Sequence, residues 1–253
     1  RALNLLKESV ALGERIGEVF WSSRYPNIIG WIYGQIQDYE QAMAWNERGV
    51  QAAREANFPN PECEFQALAN LGENHLALGH LEEAERLFRT VEDVVRSPRP
   101  QDTFMMWRYS QRLFHSYGEL WLRRGDLDKA LSYADECLAI AEETNSRKNI
   151  VKGRRLRGQV FLARGQLAEA EREFTTALEM AQQVSNPPQL WKTWVALGEL
   201  RQAQGQPEGA REAYGQALAI IDRVAADLTD ARQRDIFLTS THVQDIRQAA
   251  QGI

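Results

Sequence analysis

The sequence predicts an all-α protein built from repeated pairs of helices, and three observations support this prediction. A glycine-containing segment recurs five times within the 253 residues, and an alanine follows each glycine at a fixed distance. Apolar residues recur at helical spacing around the glycines, and no segment suggests a strand. The glycines are Gly30, Gly72, Gly118, Gly158 and Gly198, and the alanines are Ala42, Ala84, Ala130, Ala170 and Ala210. Both series step by 42, 46, 40 and 40 residues, which is typical of stacked helical repeats.

Each repeat is predicted to contain two helices joined by a tight turn. The first helix carries apolar residues around its glycine, as at Leu68, Leu71 and Leu76. In four repeats a second glycine follows where the first helix must end, because glycine adopts the left-handed conformation of a C-cap without strain. These second glycines are Gly79, Gly125, Gly165 and Gly205. Asp126 is a candidate N-cap of a second helix, and Pro207 suits a first helical turn.

The second helix of a repeat is predicted to pack closely against the first. Its alanine allows a close approach, and an aromatic residue four positions later is expected to fill the space beside it. This aromatic residue is Phe88, Phe174 or Tyr214 in three of the repeats. Breaks rich in Pro, Asn and Ser separate the repeats at residues 57–61, 97–100, 145–146 and 185–188.

These signals predict a single array over residues 1–253. The predicted parts are the second helix of a truncated repeat at residues 1–20, repeats at residues 23–60, 61–103, 104–147, 148–187 and 188–225, and a capping helix at residues 226–253. Because Ala2 lies 40 residues before Ala42, the chain is expected to begin inside a repeat and to be a fragment of a larger protein. Ile236, Phe237, Val243 and Ile246 are expected to cover the apolar face of the last repeat.

The order of residues within a repeat resembles the tetratricopeptide repeat (TPR), in which L-G-x-x-Y precedes A-x-x-x-F. One repeat matches throughout, at Trp194, Leu197, Gly198, Gly205, Ala210, Tyr214 and Ala217. The resemblance covers residues 2–221 and implies a right-handed α-solenoid. A period near 40 residues, and the segment from Leu228 to Val243, resemble the long-repeat arrays of multidomain bacterial signalling and transcriptional regulators. Arg154 and Arg157 depart from the pattern at expected core positions, and Arg201 replaces an aromatic residue.

Composition and motifs argue against an enzyme. No phosphate-binding loop, dinucleotide fingerprint, nucleophile elbow or zinc-protease motif occurs, so no cofactor and no metal are expected. A formal net charge of −5 disfavours a dedicated nucleic-acid binder, and no apolar run is long enough to cross a membrane. His75 is expected to be a hydrogen-bonded core imidazole. Cys63 and Cys137 are expected to be buried thiols of a cytoplasmic protein.

The first helices of a stacked array line its concave side, so four positions that share one helix face are expected to line a groove. The predicted partner-binding residues are Arg24, Trp31, Arg112, His115, Glu119, Leu122, Lys152, Arg155, Gln159 and Lys192. A basic row lies opposite a row of glutamates, and Leu76, Leu122 and Leu162 are expected to form an apolar strip between them. This pattern favours a protein or peptide segment, acidic in character, as the partner.

Other functions remain open from the residues alone. The basic side chains can simply shield the groove and pair with the glutamates. The domain can instead be a receptor for a small anionic effector, held by Arg112, His115, Lys152 and Arg155, or a self-association scaffold that forms homo-oligomers. The basic cluster at residues 147–157 suits nucleic acid poorly, because the groove lacks repeated aromatic residues. The predicted function is a non-catalytic interaction or ligand-sensing module of a larger bacterial regulator.

Overall fold

The computed structural model describes residues 2–18, 20–55, 61–100 and 104–252, with residue 20 and residues 104–108 described for their backbone alone. The break predicted at residues 57–61 lies almost entirely outside these ranges. Within them the chain forms thirteen α-helices and no strand, which confirms the all-α prediction. The helices are α1 (Ala2–Ile16), α2 (Phe20–Gln35), α3 (Tyr39–Glu55), α4 (Pro61–Ala77), α5 (Leu81–Arg96), α6 (Phe104–Arg123), α7 (Leu127–Glu143), α8 (Arg147–Ala163), α9 (Leu167–Val184), α10 (Pro187–Ala203), α11 (Pro207–Asp227), α12 (Ala231–Thr239) and α13 (Thr241–Gln251). None of the described helices combines the length and the apolar character that a membrane span requires.

Two compact units divide the chain, and the boundary between them falls within α6. Unit 1 comprises residues 1–109 and unit 2 comprises residues 110–253. In unit 1 the α2–α3 and α4–α5 pairs pack in succession, and α2 contacts α4 directly. In unit 2 the α8–α9 and α10–α11 pairs do the same, and α8 contacts α10. The first helices of neighbouring pairs therefore touch in each unit. A single right-handed array over residues 1–253 stays a prediction.

The repeat glycines make room for the aromatic residues of the second helices. An ideal Cβ atom built on Gly158 would lie 2.5 Å from Cε1 of Phe174, and one built on Gly72 would lie 2.4 Å from Cε1 of Phe88. Both rings are completely buried. The predicted filling by aromatic residues is confirmed, and the structure shows that each ring rests on the glycine of the first helix. Glycine is required there because any side chain would occupy the space of the ring.

The turns between paired helices use the left-handed conformation that the second glycines predict. Gly79, Gly125, Gly165 and Gly205 have φ values of 81°, 78°, 73° and 69°. The first repeat has no glycine at this position, and Gln37 adopts the same conformation with a φ of 63°. The Asp126 side chain accepts a hydrogen bond from the Lys129 amide at 3.1 Å, and Pro207 begins α11, so both predicted helix starts are confirmed.

The C-terminal segment forms two helices, where the sequence predicted one. The chain is extended at Ser240, whose φ and ψ are −58° and 143°, so the helix is interrupted between α12 and α13. Phe237, Val243 and Ile246 are buried, as predicted, whereas Ile236 is only partly buried. Both short helices contact α11. The segment therefore covers the last repeat with an additional helix pair.

The three arginines that depart from the repeat pattern lie in partly exposed ion pairs, not in the core. Their ion pairs are Arg154–Glu142 at 2.8 Å, Arg154–Glu173 at 3.4 Å, Arg157–Glu173 at 2.6 Å, Arg157–Asp135 at 3.2 Å and Arg201–Glu171 at 2.8 Å. Long arginine side chains can pack their stems against a helix pair while the guanidinium stays at the edge. The pairs of Arg154 and Arg157 connect α8 to α7 and α9, on the side of the second helices.

Candidate functional site

In unit 1 the predicted basic residue of the groove is paired within the protein. The Arg24 Nη2 atom lies 2.7 Å from Glu62 Oε2, across α2 and α4, and both side chains are mostly buried. The other oxygen of Glu62 accepts a hydrogen bond from the Tyr109 hydroxyl at 2.5 Å. Trp31, the other site residue predicted in this unit, is partly buried. Arg24 therefore fits the alternative that the basic side chains of the groove pair with glutamates of the same protein.

A network of buried asparagines lies between the helices of unit 1. Asn70 Nδ2 donates to Asn46 Oδ1 at 2.8 Å and to the Asn27 carbonyl at 3.1 Å. Asn27 in turn donates to the Cys63 carbonyl at 2.6 Å. We did not expect this network from the sequence, although Asn46 occupies the position where three other repeats have an aromatic residue. Its side chains are committed to helix packing, so this network gives no open binding surface.

In unit 2 the predicted residues of α6 include one that is almost completely buried. His115 is 3% exposed, and its Nδ1 atom lies 3.6 Å from Glu119 Oε2, one turn further along the helix. Glu119, Arg112 and Leu122 are each partly exposed. On α6, Arg112, Glu119 and Leu122 are therefore in part accessible to solvent, whereas His115 is not.

Arg155 on α8 is the most unusual charged residue of the described chain. It is only 3% exposed, and its Nη1 atom donates to the neutral Oε1 atom of Gln189 on α10 at 3.0 Å. It makes no ion pair within the ranges that the structure describes. Burial lowers the pKa of Arg155, and the negative charge of Glu119 opposes this effect. Lys152 and Gln159, on the same helix, are partly exposed.

Helices α10 and α13 contribute the remaining side chains, Lys192 and His242. Lys192 is exposed, and its ammonium lies 5.5 Å from the ring centre of the buried Trp191. The other neighbour of this ring is His242 on α13, at a centroid distance of 5.0 Å. We assigned no role to His242 from the sequence. Its position in the first turn of a capping helix gave no signal, because only packing of α13 against the last repeat brings it here.

Charged groups from three other helices act on His242, and most of them are positive. The protein around the imidazole lowers its pKa to about 4, although His242 is an exposed residue. The positive charges of Lys192, Arg123 and Arg155 lower the pKa further, and Glu119 raises it. We call the predicted surface made of Arg112, Glu119, Leu122, Lys152, Arg155, Gln159 and Lys192, together with Arg123 and His242, the unit 2 cleft.

The predicted apolar strip is wrong at Leu76, and its other two leucines are only partly exposed. Leu76 is buried, and Leu162 packs against a core cluster that contains Phe174 and Leu197. Leu122 and Leu162 are both partly exposed. Most of the side chains that define the unit 2 cleft are polar or charged.

Other predicted titratable residues lie outside the cleft. His75 is not a core imidazole: it is partly exposed, and its Nδ1 atom lies 3.3 Å from Nδ1 of His80. Cys63 and Cys137 are buried free thiols, as predicted, and burial raises the pKa of Cys137 to about 12. The described part of the chain holds no group of three or more His, Cys, Asp or Glu side chains arranged for a metal ion.

Comparisons with solved structures agree with this architecture. The chain is similar to BtubC (BKLC) from P. vanneervenii, with a TM-score of 0.63 and 13% identity over 90% of this chain and 92% of that chain. It is also similar to a thermophilic TPR protein from Thermus thermophilus, with a TM-score of 0.58 and 21% identity over 86% and 97% of the two chains. The apo form of RapI matches with a TM-score of 0.58 and 13% identity over 90% and 81%. These similarities establish the fold, an all-α TPR solenoid.

Comparisons of the sequence itself give one family. None of the curated protein sequences matches the chain significantly. The family described as the MalT-like TPR region matches residues 28–253, from the middle of α2 to the end of the C-terminal helices. The match takes in the four later repeats and the additional helix pair that covers the last of them. With its repeating glycine and aromatic contacts and a match of this length, the chain belongs to the MalT-like TPR region family.

Proposed function

We propose that the unit 2 cleft binds an acidic segment of a partner protein, and that the chain is a non-catalytic interaction and sensing module of a larger bacterial regulator. TPR folds generally serve as protein-interaction modules, which supports the general class. The observation that carries the specific proposal is the buried guanidinium of Arg155, which forms no ion pair with a carboxylate of the described chain. A carboxylate supplied by a partner would neutralise it.

The two units offer different surfaces, and the proposal places binding in unit 2. In unit 1, Arg24 already has the carboxylate of Glu62 at 2.7 Å. In unit 2, four charged groups are the main ones that act on the His242 imidazole, and three of them, Arg155, Lys192 and Arg123, are positive, whereas Glu119 is negative. The local excess of positive charge contrasts with the net charge of −5 of the whole chain. A local field of this sign attracts and orients acidic segments.

The arrangement also supports a defined direction for the bound segment. Glu119 and Glu199 place negative charge on the same face as Lys152 and Lys192. Glu199 remains accessible to water while the protein around its carboxyl raises its pKa. A segment with one acidic and one basic position would satisfy both kinds of charge in one orientation and not in the other.

Selection from a displayed library of random short peptides tests the proposal. We expect the selected peptides to be enriched in Asp and Glu and to bind with an affinity that falls as salt rises. The double variant Lys152→Glu with Lys192→Glu should weaken the best peptide by roughly ten-fold or more, since rows of charge set recognition.

The matched control is Arg172→Glu with Arg223→Glu, which makes the same change in net charge on the exposed faces of α9 and α11. This control should bind the peptide as the wild type does, apart from a small general effect of net charge. Equal loss in both double variants, or no loss in either, would contradict the placement of the partner in the unit 2 cleft.

A small anionic effector is the second candidate, and the depth of Arg155 favours it. A side chain that is 3% exposed offers little surface to a large partner but can bind a small carboxylate that enters the cleft. Thermal-shift screening with anionic metabolites separates the two candidates. A metabolite that binds the native state raises the midpoint in the absence of any peptide.

A further inference from the structure

We propose that Arg155, Lys192 and His242 form a subsite for one carboxylate group, and that the capping helix α13 is part of the binding surface. The inference rests on the proposed function and deepens it, because it names the chemical group recognised and the helix that completes the site. It gives α13 a role beyond covering the last repeat.

Arg155 provides the first argument. Transfer of a charged side chain from water into a protein is costly unless the charge is paired, and buried arginines are accordingly paired in most proteins. Arg155 has only the amide oxygen of Gln189 as a hydrogen-bond acceptor in the described chain, at 3.0 Å. Most donors of its planar guanidinium are therefore left for another acceptor. A carboxylate matches this fork with two parallel hydrogen bonds.

The charges around His242 provide the second argument. Lys192 and Arg123 add positive charge there, whereas the negative charge of Glu119 acts on both His242 and Arg155 without forming an ion pair with Arg155. His242 is neutral near pH 7, so one of its ring nitrogens carries a hydrogen and can donate to an oxygen. A neutral donor beside two cations binds an anion without adding further repulsion between like charges.

The position of α13 provides the third argument. His242 reaches the cleft because its ring packs against Trp191 of α10, and α13 is held on α11 through Val243 and Ile246. The subsite is therefore complete only while α13 is docked. A carboxylate that contacts both Arg155 and His242 must favour the docked state, because binding and docking are linked equilibria.

Glutarate is a suitable probe, with sodium chloride at equal ionic strength as its reference. We expect glutarate to raise the thermal midpoint of the full chain and to raise the pKa of His242, measured by NMR, because a nearby anion favours the imidazolium. The variant Arg155→Met should bind glutarate at least ten-fold more weakly. Its own midpoint should stay the same or rise, because an unpaired buried charge has been replaced by an apolar side chain of similar length.

Arg154→Met is the matched control on the same helix. It should lose stability, because Arg154 pairs with Glu142 and Glu173, yet it should bind glutarate as the wild type does. His242→Gln should weaken glutarate binding less than Arg155→Met. An equal response of wild type and Arg155→Met to glutarate overturns the subsite, and so does a midpoint shift that sodium chloride reproduces. In the wild type, an unchanged pKa of His242 at saturating glutarate would also overturn the subsite.

These outcomes are distinguishable from failure of the proposed function. If selected peptides bind wild type and Arg155→Met equally well but lose affinity in the Lys152→Glu and Lys192→Glu double variant, the subsite is wrong, and the acidic partner is held by the two lysines instead. If glutarate binding depends on Arg155 but peptide affinity does not change when Lys152 and Lys192 are replaced by glutamate, the subsite is supported and the acidic partner is not. The cleft then serves a small carboxylate effector.

Discussion

At the scale of single residues, the closest packing is between a repeat glycine and a ring of the paired helix. The Gly158 backbone touches Phe174 so closely that even a methyl group would overlap the ring. The sequence predicted the glycine, the alanine and the aromatic residue, since all three recur at fixed spacing. It could not show which of the two small residues the ring contacts, because that depends on how the two helices rotate against each other.

Gly158→Ala should lower the free energy of unfolding by about 1–3 kcal/mol, because the new methyl group overpacks a filled core. Gly215→Ala is the control, since Gly215 lies within α11 with no atom within 4 Å of an added Cβ. The control should be neutral or stabilising by up to about 1 kcal/mol, because alanine favours helix. Urea unfolding of both variants measures the difference. Two variants of equal stability would contradict the packing.

His242 should make stability depend on pH. Its pKa is lowered in the folded protein from 6.5 to about 4, so the unfolded chain takes up a proton first as the pH falls. The stabilisation from neutral His242 is fully present above pH 6.5 and is lost as the pH falls toward 4. His242→Gln should therefore lose less stability than wild type across this window. If the thermal midpoints of the two proteins change with pH in the same way, folding does not lower the pKa of His242.

The charged residues of the site were predictable only in part. Spacing placed Arg155 and Lys192 on a shared face, and the two residues lie on α8 and α10, the first helices of two repeats of unit 2. Sequence could not reveal that Arg155 is buried with a hydrogen bond to Gln189 of α10, nor that His242 packs against Trp191. Such contacts join helices that are far apart in the sequence, and they produce no periodic pattern from which they could be predicted.

At the scale of elements, the turn between paired helices requires a left-handed residue. Four repeats provide glycine and the first provides Gln37, whose φ of 63° is strained for a residue with a side chain. The number and order of the repeat helices followed from these turns and the glycine period. The interruption at Ser240 was missed because no glycine or proline marks it.

Gln37→Gly should raise the free energy of unfolding by about 1 kcal/mol, because glycine removes the strain of the left-handed conformation. Gln51→Gly provides the opposite case, since Gln51 is an exposed residue within α3. It should lower stability by up to about 1 kcal/mol. Thermal or urea unfolding of the two variants measures whether each raises or lowers the free energy of unfolding. If Gln37→Gly does not raise it, the explanation of this turn is refuted.

At the scale of the whole molecule, stability is expected to be local. Stacked repeats gain most of their stability from the intrinsic stability of each repeat and from its contacts with immediate neighbours. This chain, in addition, divides into two compact units. A change at the C-terminal helices should therefore act mainly on unit 2. The sequence predicted the cap and its buried residues, but it did not predict the boundary between the units.

Ile246→Ala should lower stability by about 2–5 kcal/mol, because it leaves a cavity beneath α13. Hydrogen exchange should show faster opening of α10 to α13, with little change in α2 to α5. It should also weaken binding of a selected acidic peptide, since His242 reaches the cleft only while α13 is docked. Equal loss of protection along the whole chain would mean that the units do not open separately.

The central claim is that the unit 2 cleft holds the partner, and NMR mapping of a selected acidic peptide on the isotope-labelled chain tests it most directly. We predict that the largest changes on saturation occur at Arg155, Lys192 and His242 and at the facing residues of α6. Changes concentrated on the outward faces of α7, α9 and α11, with the signals of Arg155 and His242 unmoved, would contradict it.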